Sequence, residues 1–381
     1  MPDTRTMKAV AVHPRVAQSL HLREVPVPEI TSIPDGRGVL VKVVRIGGCG
    51  TDLEIEAGEY GQAPQGDDFL IIGHENLGQV VDVGPHVPAT LAPGSFVVAT
   101  VRRPGHSIYD MIGMQDMTTD DVYFERGINL RHGYMAEYYV ESAGYLVPLP
   151  EGLREVGVLV EPMSVVEKGV HQAYEIQRRL RVWQPRRAAV LGAGPVGLLG
   201  CLVLRSRGLE VTCLSQEPSA SPRGSLVAEI GCHYVSTQEK SVAAASGELG
   251  PFDVIVEASG YSPLAFQAAE VLGKNGVLVL VSVTGGDRKV EVDADHINQG
   301  FVLGNKVMVG SVNASYADFT RAVDDMIAAE ARYPGWLSKL LTTRVDGLEN
   351  FATFLQRLKA HDGIKVFMEL SAISRQPSAA S

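Results

Sequence analysis

An apolar, strand-like run ends in Gly192-Ala193-Gly194-Pro195-Val196-Gly197 and passes into an apolar helical stretch stopped by Gly208. Glycines at this spacing suit a dinucleotide. The first makes a tight turn, the second lets backbone approach the pyrophosphate, and the third lets helix and strand pack closely, with the helix N-terminus facing the phosphates. A GxGxxG is weak alone and strong between a strand and a helix, and Pro195 and Val196 complete the turn. The next strand-like run, EVTCL, ends near Ser215, where an acidic residue normally holds the ribose of NAD and cations take the 2′-phosphate of NADP. Glu217 lies about two positions later than ideal for the ribose contact, and Arg223 is the nearby cation. The spacing leans slightly to NAD and leaves NADP open.

A second set of chemical residues lies in two glycine-flanked segments, Gly47-Gly48-Cys49-Gly50-Thr51-Asp52 and Gly73-His74-Glu75-Asn76. A thiolate and an imidazole are good zinc ligands. A catalytic zinc takes three protein ligands and keeps one position open. Glu75 and the later Glu161, in Val160-Glu161-Pro162, both offer the third. Taken singly, each has a plainer role: Cys49 as a small buried hydrophobe, His74 as a core histidine, the carboxylates as helix-start residues.

Two kinds of element must position these groups. From about Met7 to Val147, short β-type runs cut by Gly and Pro predict an antiparallel, barrel-like unit. From Arg187 to Asn313, strands alternate with helical stretches, which predicts a parallel sheet with crossover helices. The expected division is a β-rich catalytic domain over 1–186, completed by 314–381, and a doubly wound dinucleotide domain over 187–313. Small strand-end residues, Ser259, Ser282 and Val283, with Ser311 and Asn313 after the last strand, should lie along the cofactor, since ligands bind outside the carboxyl ends of parallel strands. The final SAISRQPSAAS is small and polar, and fraying is expected there.

Composition bounds the function. The 381 residues carry 34 Lys+Arg and 44 Asp+Glu, a net charge of −10, without a basic stripe, so nucleic acid and anionic membranes are poor partners. Apolar runs such as Val277 to Val283 fall far short of the roughly 18 residues of a membrane span. The N-terminus lacks the marks of a secretory signal, and a cytoplasmic protein is expected. Four cysteines without C-x-x-C spacing argue against a disulfide framework and a cysteine-only zinc knuckle.

GCGTD, then GHE, then E-P and GAGPVG resemble the zinc-containing medium-chain dehydrogenase/reductase superfamily. Within it, Tyr123 to Ile128, His132 to Met135, Val160-Glu161-Pro162 and Gly310 to Asn313 resemble the archaeal-type glucose 1-dehydrogenases, over roughly Met7 to Leu370. The resemblance implies an α/β protein with a GroES-like catalytic domain, a Rossmann domain and an active site in the cleft between them. It implies zinc on Cys49, His74 and a carboxylate, Glu75 or Glu161. It also implies a Thr51 hydroxyl that bonds the reacting alcohol, and sugar contacts from Glu125, Glu161 and Asn313. The implied reaction moves a hydride from C1 of glucose to NAD or NADP, giving a lactone.

One departure stands out. Many relatives bind a second, structural zinc through four closely spaced cysteines, and the corresponding GHSIYDMIGMQDMTTDD contains none, so one zinc per chain is expected. His106 and Asp110 lack a thiolate partner there. A homo-oligomer, dimer or tetramer, is expected from the relatives, with the strand NKVMVGSVN as a candidate subunit contact. Another polyol, aldose or cyclitol would use every motif above. A zinc-free reductase or a non-catalytic dinucleotide-binding protein fits the paired metal residues less well.

Overall fold

Contacts divide the chain into two compact units, one of residues up to 161, 314–327 and 337 onward, the other of 162–313 and 328–336. The computed structural model describes residues 5–371, so the expected frayed tail lies, beyond Ser371, outside the described residues. The boundary at 161/162 differs from the expected 186/187. In the helix Val160–Gln177, Val166, Val170 and Ala173 are fully buried, and Ala173 packs with Val277 and Val279 of the second unit's sheet. An amphipathic period shows which face of a helix is buried but not against which sheet.

The first unit is built on the strand Gly38–Gly47, whose alternating valines are buried. It pairs antiparallel with Glu75–Val83, Tyr138–Ser142 and Val366–Glu369. Two register shifts against Glu75–Val83 bend the pair. Thr343–Asp346 adds to Val366–Glu369 in parallel, an exception to the antiparallel pattern expected of this unit. A smaller sheet orders His21–Pro26, Thr6–Val12 and Leu70–Ile71, and Arg102–Arg103, Phe124–Arg126 and Leu130–Arg131 form a third.

The second unit is a six-stranded parallel sheet in the order His233–Ser236, Glu210–Ser215, Arg187–Leu191, Phe252–Glu257, Leu272–Leu280, Val307–Gly310. This is the doubly wound order of a Rossmann domain, whose ligand crevice lies where strand order reverses. Its strands read as continuous apolar runs because helices cover both faces. No helix among the described residues is long and apolar enough to cross a membrane.

Inside the first unit, Glu141 is 4% exposed and accepts from Arg103 Nη2 at 2.5 Å and Arg126 Nε at 2.9 Å. Burial alone would raise its carboxyl, but the two guanidiniums outweigh burial and hold it down to about 2. A depressed carboxyl contributes stability that is full above the unfolded value, about 4.3, and is lost as pH falls through the folded value. Glu141→Gln leaves two guanidiniums short of their partner and should destabilise the unit by about 3–5 kcal/mol at pH 7. Thermal denaturation should show the gap between wild type and variant closing as pH falls from about 4.3 toward 2; a gap independent of pH would refute this account.

Candidate active site

Strand Gly38–Gly47 delivers the chain to Cys49, the N-cap of helix Gly50–Glu56. The Cys49 Sγ accepts from Thr51 N at 3.3 Å, and Asp52 Oδ2 accepts from Cys49 N at 3.0 Å. This reciprocal cap fixes the thiol. It sets Sγ 3.1 Å from His74 Nε2. On the other side of the ring, Nδ1 lies 3.7 Å from Asp52 Oδ1, and neither of these two buried atoms has a hydrogen-bond partner. Burial opposes the His74 cation, but the Cys49 and Asp52 charges outweigh it and hold His74 well above its ordinary value.

Two more carboxylates close the cluster. Glu75 ion-pairs with Lys365, whose Nζ also donates to Gly48 O at 3.0 Å; both side chains are 2% exposed. Glu161, in the first turn of Val160–Gln177, is 8% exposed. Burial above all, with Glu75 adding to it against the pull of His74, pushes the Glu161 carboxyl up to about 7. Among the described residues, the groups that bring three such ligand atoms within 4.8 Å of one another are Cys49–Asp52–His74 and His74–Glu75–Glu161. A soft thiolate, an imidazole and hard carboxylates in a buried space form a zinc donor set.

His74 itself is set by backbone contact. Gly73 has φ +86°, and its carbonyl accepts from Tyr134 N at 2.9 Å. A Cβ on Gly127 would stand 2.3 Å from that carbonyl oxygen, and one on Gly133 2.4 Å. The segment 124–134 therefore lies directly against the His74 turn. Its Glu125, 4% exposed, is forked by Arg102 through Nε at 3.1 Å and Nη2 at 2.8 Å. Arg102 lies over the Tyr123 ring at 4.7 Å, and the Tyr123 hydroxyl bonds that of Tyr60. Thr51 is half-buried in the first turn of the Cys49 helix.

In the second unit the fingerprint glycines differ as the spacing requires. Gly192 has φ +102° and a Cβ there would meet Ala258 O at 2.7 Å; one on Gly197 would meet Gly192 O at 2.1 Å. A Cβ on Gly194 would meet nothing within 4 Å, and Pro195 begins the helix Pro195–Ser206 with Val196 after it. Ser215 ends its strand, and Glu217 ion-pairs with Arg223, so the anionic and cationic ribose candidates hold each other. Ser282 Oγ accepts from Gly260 N at 3.1 Å, which ties the two strand ends together, and Ser259 N donates to Glu257 at 2.8 Å within the first of them. Val283 is 72% exposed, Ser311 Oγ is buried without a hydrogen-bond partner, and Asn313 sits at φ +61°.

The lobe that lacks cysteines is shaped by two aspartates. Asp110 accepts from Ser107 N at 3.0 Å, Ser107 Oγ at 2.6 Å and Thr118 Oγ1 at 2.6 Å; Asp120 accepts from His106 N at 2.6 Å and Ser107 N at 3.0 Å. Sequence reasoning assigned no role to Asp52 or Lys365. Asp52 was visible three residues after Cys49, the capping-box spacing. Lys365 carried a weaker mark, a lone cation in an apolar closing strand.

Residues 35–151 match the alcohol dehydrogenase GroES-like domain, and residues 154–370 match the glucose dehydrogenase C-terminus. The glucose 1-dehydrogenase of Methanocella arvoryzae is 42% identical over 368 residues, 96% of this chain and 100% of that one. Glucose 1-dehydrogenase 1 of Caldivirga maquilingensis is 41% identical over 97% of this chain and 100% of its own. Among solved structures, the Haloferax mediterranei glucose dehydrogenase in complex with NADP, Zn and gluconolactone superposes with a TM-score of 0.83 at 35% identity, covering 96% of this chain and 100% of that chain. With the thiolate, imidazole and carboxylates of the first unit and the dinucleotide fingerprint of the second, the chain belongs to the archaeal-type glucose 1-dehydrogenase family of the zinc-containing medium-chain dehydrogenases.

Proposed function

We propose that this chain oxidises D-glucose at C1 to the lactone, with one zinc held by Cys49, His74 and Glu161 and with NAD or NADP as the hydride acceptor. The carrying observation is the approach of the half-buried Cys49 Sγ to His74 Nε2 at 3.1 Å, with Glu161 and Glu75 offering ligand atoms within 4.8 Å of one offered by His74. Glu75 is drawn to Lys365, which favours Glu161 as the third ligand and leaves Glu75 to adjust the local charge. Zinc bound there supplies a Lewis acid that lowers the pKa of a sugar hydroxyl. Asp52 faces His74 Nδ1 and so orients the ring, as carboxylates behind zinc histidines do.

Thr51 takes the C1 hydroxyl proton and passes it outward, while the C1 hydride leaves for the nicotinamide carbon and the carbonyl of the lactone forms. Glu125, fixed by Arg102, accepts from sugar hydroxyls, with Glu161 and Asn313 completing the polar contacts. A site built this way rejects sugars that lack the matching hydroxyl, since an unmatched buried polar group costs about 1–3 kcal/mol. The Asp110 and Asp120 hydrogen bonds shape the lobe without thiolates, which supports a single zinc per chain.

The central test is the initial rate of nicotinamide reduction with D-glucose, using NAD and NADP in parallel, after chelation and after zinc restoration. Zinc-restorable turnover with about one zinc per chain by elemental analysis is expected. No turnover on glucose but turnover on another polyol would redirect the substrate, and two zinc ions per chain would refute the single site. Thr51→Ala should lower kcat by about 100-fold or more while zinc content stays unchanged. Asp52→Asn should weaken zinc, read by chelator competition, by roughly 10–100-fold; unchanged affinity would remove Asp52 from the site.

The dinucleotide site has its own test. Because a Cβ on Gly194 meets nothing in the protein, Gly194→Val should leave the melting temperature unchanged yet weaken cofactor binding by about tenfold or more through its clash with the pyrophosphate. Equal cofactor affinity in the two proteins would move the cofactor elsewhere. Glu217→Gln removes the carboxylate that ion-pairs with Arg223 and should shift the ratio of kcat/KM values toward NADP; a shift toward NAD would show that Arg223 does not read the 2′-phosphate.

A further inference from the structure

The helix Val160–Gln177 carries a buried cation that the proposed reaction does not use. Lys168 is 3% exposed, and a lysine is almost never so deeply buried unless its ammonium is answered. It follows Glu161 by two helical turns, on the same face of the helix. Its Nζ donates to Val312 O at 2.8 Å. Both residues belong to the second unit, so the bond ties a helix packed on the sheet to the chain just beyond the last strand, Val307–Gly310.

Three local features give this bond its meaning. Ser311 N still donates to Leu280 O at 2.9 Å, but Val312 lies past the ladder and its carbonyl takes a partner from outside the sheet. Gly169 has no side chain, and a Cβ there would stand 2.9 Å from Val279 Cγ1 and 3.3 Å from Val281 Cγ1. The helix therefore lies close against the carboxyl end of Leu272–Leu280, which brings residue 312 within reach of a lysine. Asn313 sits at φ +61°, a left-handed conformation that a residue other than glycine keeps only where its surroundings determine it. A trans peptide is planar, with its C=O and N–H pointing opposite ways. Turning the Val312 carbonyl to Lys168 thus directs the Asn313 N–H to the other side of that peptide.

We infer that Lys168 is a positioning residue: by holding the 312–313 peptide it sets the orientation of Asn313, and through Asn313 the placing of the sugar. This role rests on the sugar contact proposed above for Asn313. A charged donor bonds a carbonyl more strongly than a neutral one, so the turn is held in one orientation and not merely covered. An apolar residue of similar length at 168 would pack against the same sheet and deprive the Val312 carbonyl of this donor. Packing alone therefore gives no reason for a lysine here, and orientation of the turn does.

The test compares Lys168→Met, Lys168→Arg, Asn313→Ala and the double variant Lys168→Met with Asn313→Ala in the full-length, zinc-loaded enzyme. ADP-ribose, which lacks the nicotinamide, is titrated first, and its affinity and stoichiometry count the chains whose dinucleotide unit is folded. That affinity should match wild type throughout, while Lys168→Met lowers kcat/KM for the sugar that turns over by about tenfold or more. Lys168→Arg keeps a cation with donors and should lose less. Because Lys168 acts through Asn313, the double variant should fall no further than Asn313→Ala alone. Losses that add in the double variant, or wild-type kcat/KM in Lys168→Met beside an impaired Asn313→Ala, would overturn the positioning role and leave the sugar contact of Asn313 standing. Unchanged kcat/KM in Asn313→Ala would remove that contact and the positioning role with it. Loss of ADP-ribose binding in both Lys168 variants would make the lysine a support of the whole unit and overturn the inference.

Discussion

A buried carboxylate that must be compensated sits at the centre of the first unit. Asp52 is fully buried, and a carboxylate taken out of water without partners costs several kcal/mol. Its Oδ2 is answered by the Cys49 backbone N–H, and its Oδ1 faces the His74 ring. One side chain thereby fixes the rotamer of the thiol, the start of the helix Gly50–Glu56 and the orientation of the imidazole. Against its burial, His74 is held well above its ordinary value by Cys49 and Asp52, while Glu161 rises chiefly through its own burial, next to Glu75. Lys365 offsets the accumulation of negative charge.

The residue types and short spacings of GCGTD, GHE and GAGPVG made the family and the fold legible, because each is a short run whose cap, turn and glycines are local. The Rossmann unit was equally legible, since strand and helix alternate and the glycines fall at the turn. Lys365 was not, because its partner Glu75 lies far away in sequence and only the pairing of Val366–Glu369 with Gly38–Gly47 brings them together. Asp52 stood in a quoted motif without a role, since the role depends on a cap that exists only once the helix forms. The boundary at 161/162 escaped for a related reason: the helix Val160–Gln177 advertises an apolar face but not the sheet that receives it.

The lobe over 104–122 illustrates how one structural task can be met by different chemistry. A metal bound by four thiolates draws a loop together from its centre. Here two aspartates accept several hydrogen bonds each, and Asp110 is held down to about 2 because the Ser107 and Thr118 donors outweigh its burial. Hydrogen bonds to a carboxylate need only short side chains, which leaves Ile108, Met111 and Ile112 free to point outward. The donors that hold this loop are its own Ser107 and Thr118 hydroxyls and the His106 and Ser107 backbone N–H groups.

The stacking of Gly127 and Gly133 on the Gly73 carbonyl has a consequence for how such a protein can change. The backbone that carries Glu125 touches the backbone that carries His74 with no side chain between them. Any insertion or bulky replacement that reshapes the stretch 124–134 pushes on the histidine as well. On the roles proposed above for Glu125 and His74, selectivity for a new sugar and retention of the metal are therefore not independent variables in this scaffold. New preferences must arise through side chains that leave this backbone junction intact, which narrows the routes open to natural drift and to redesign alike.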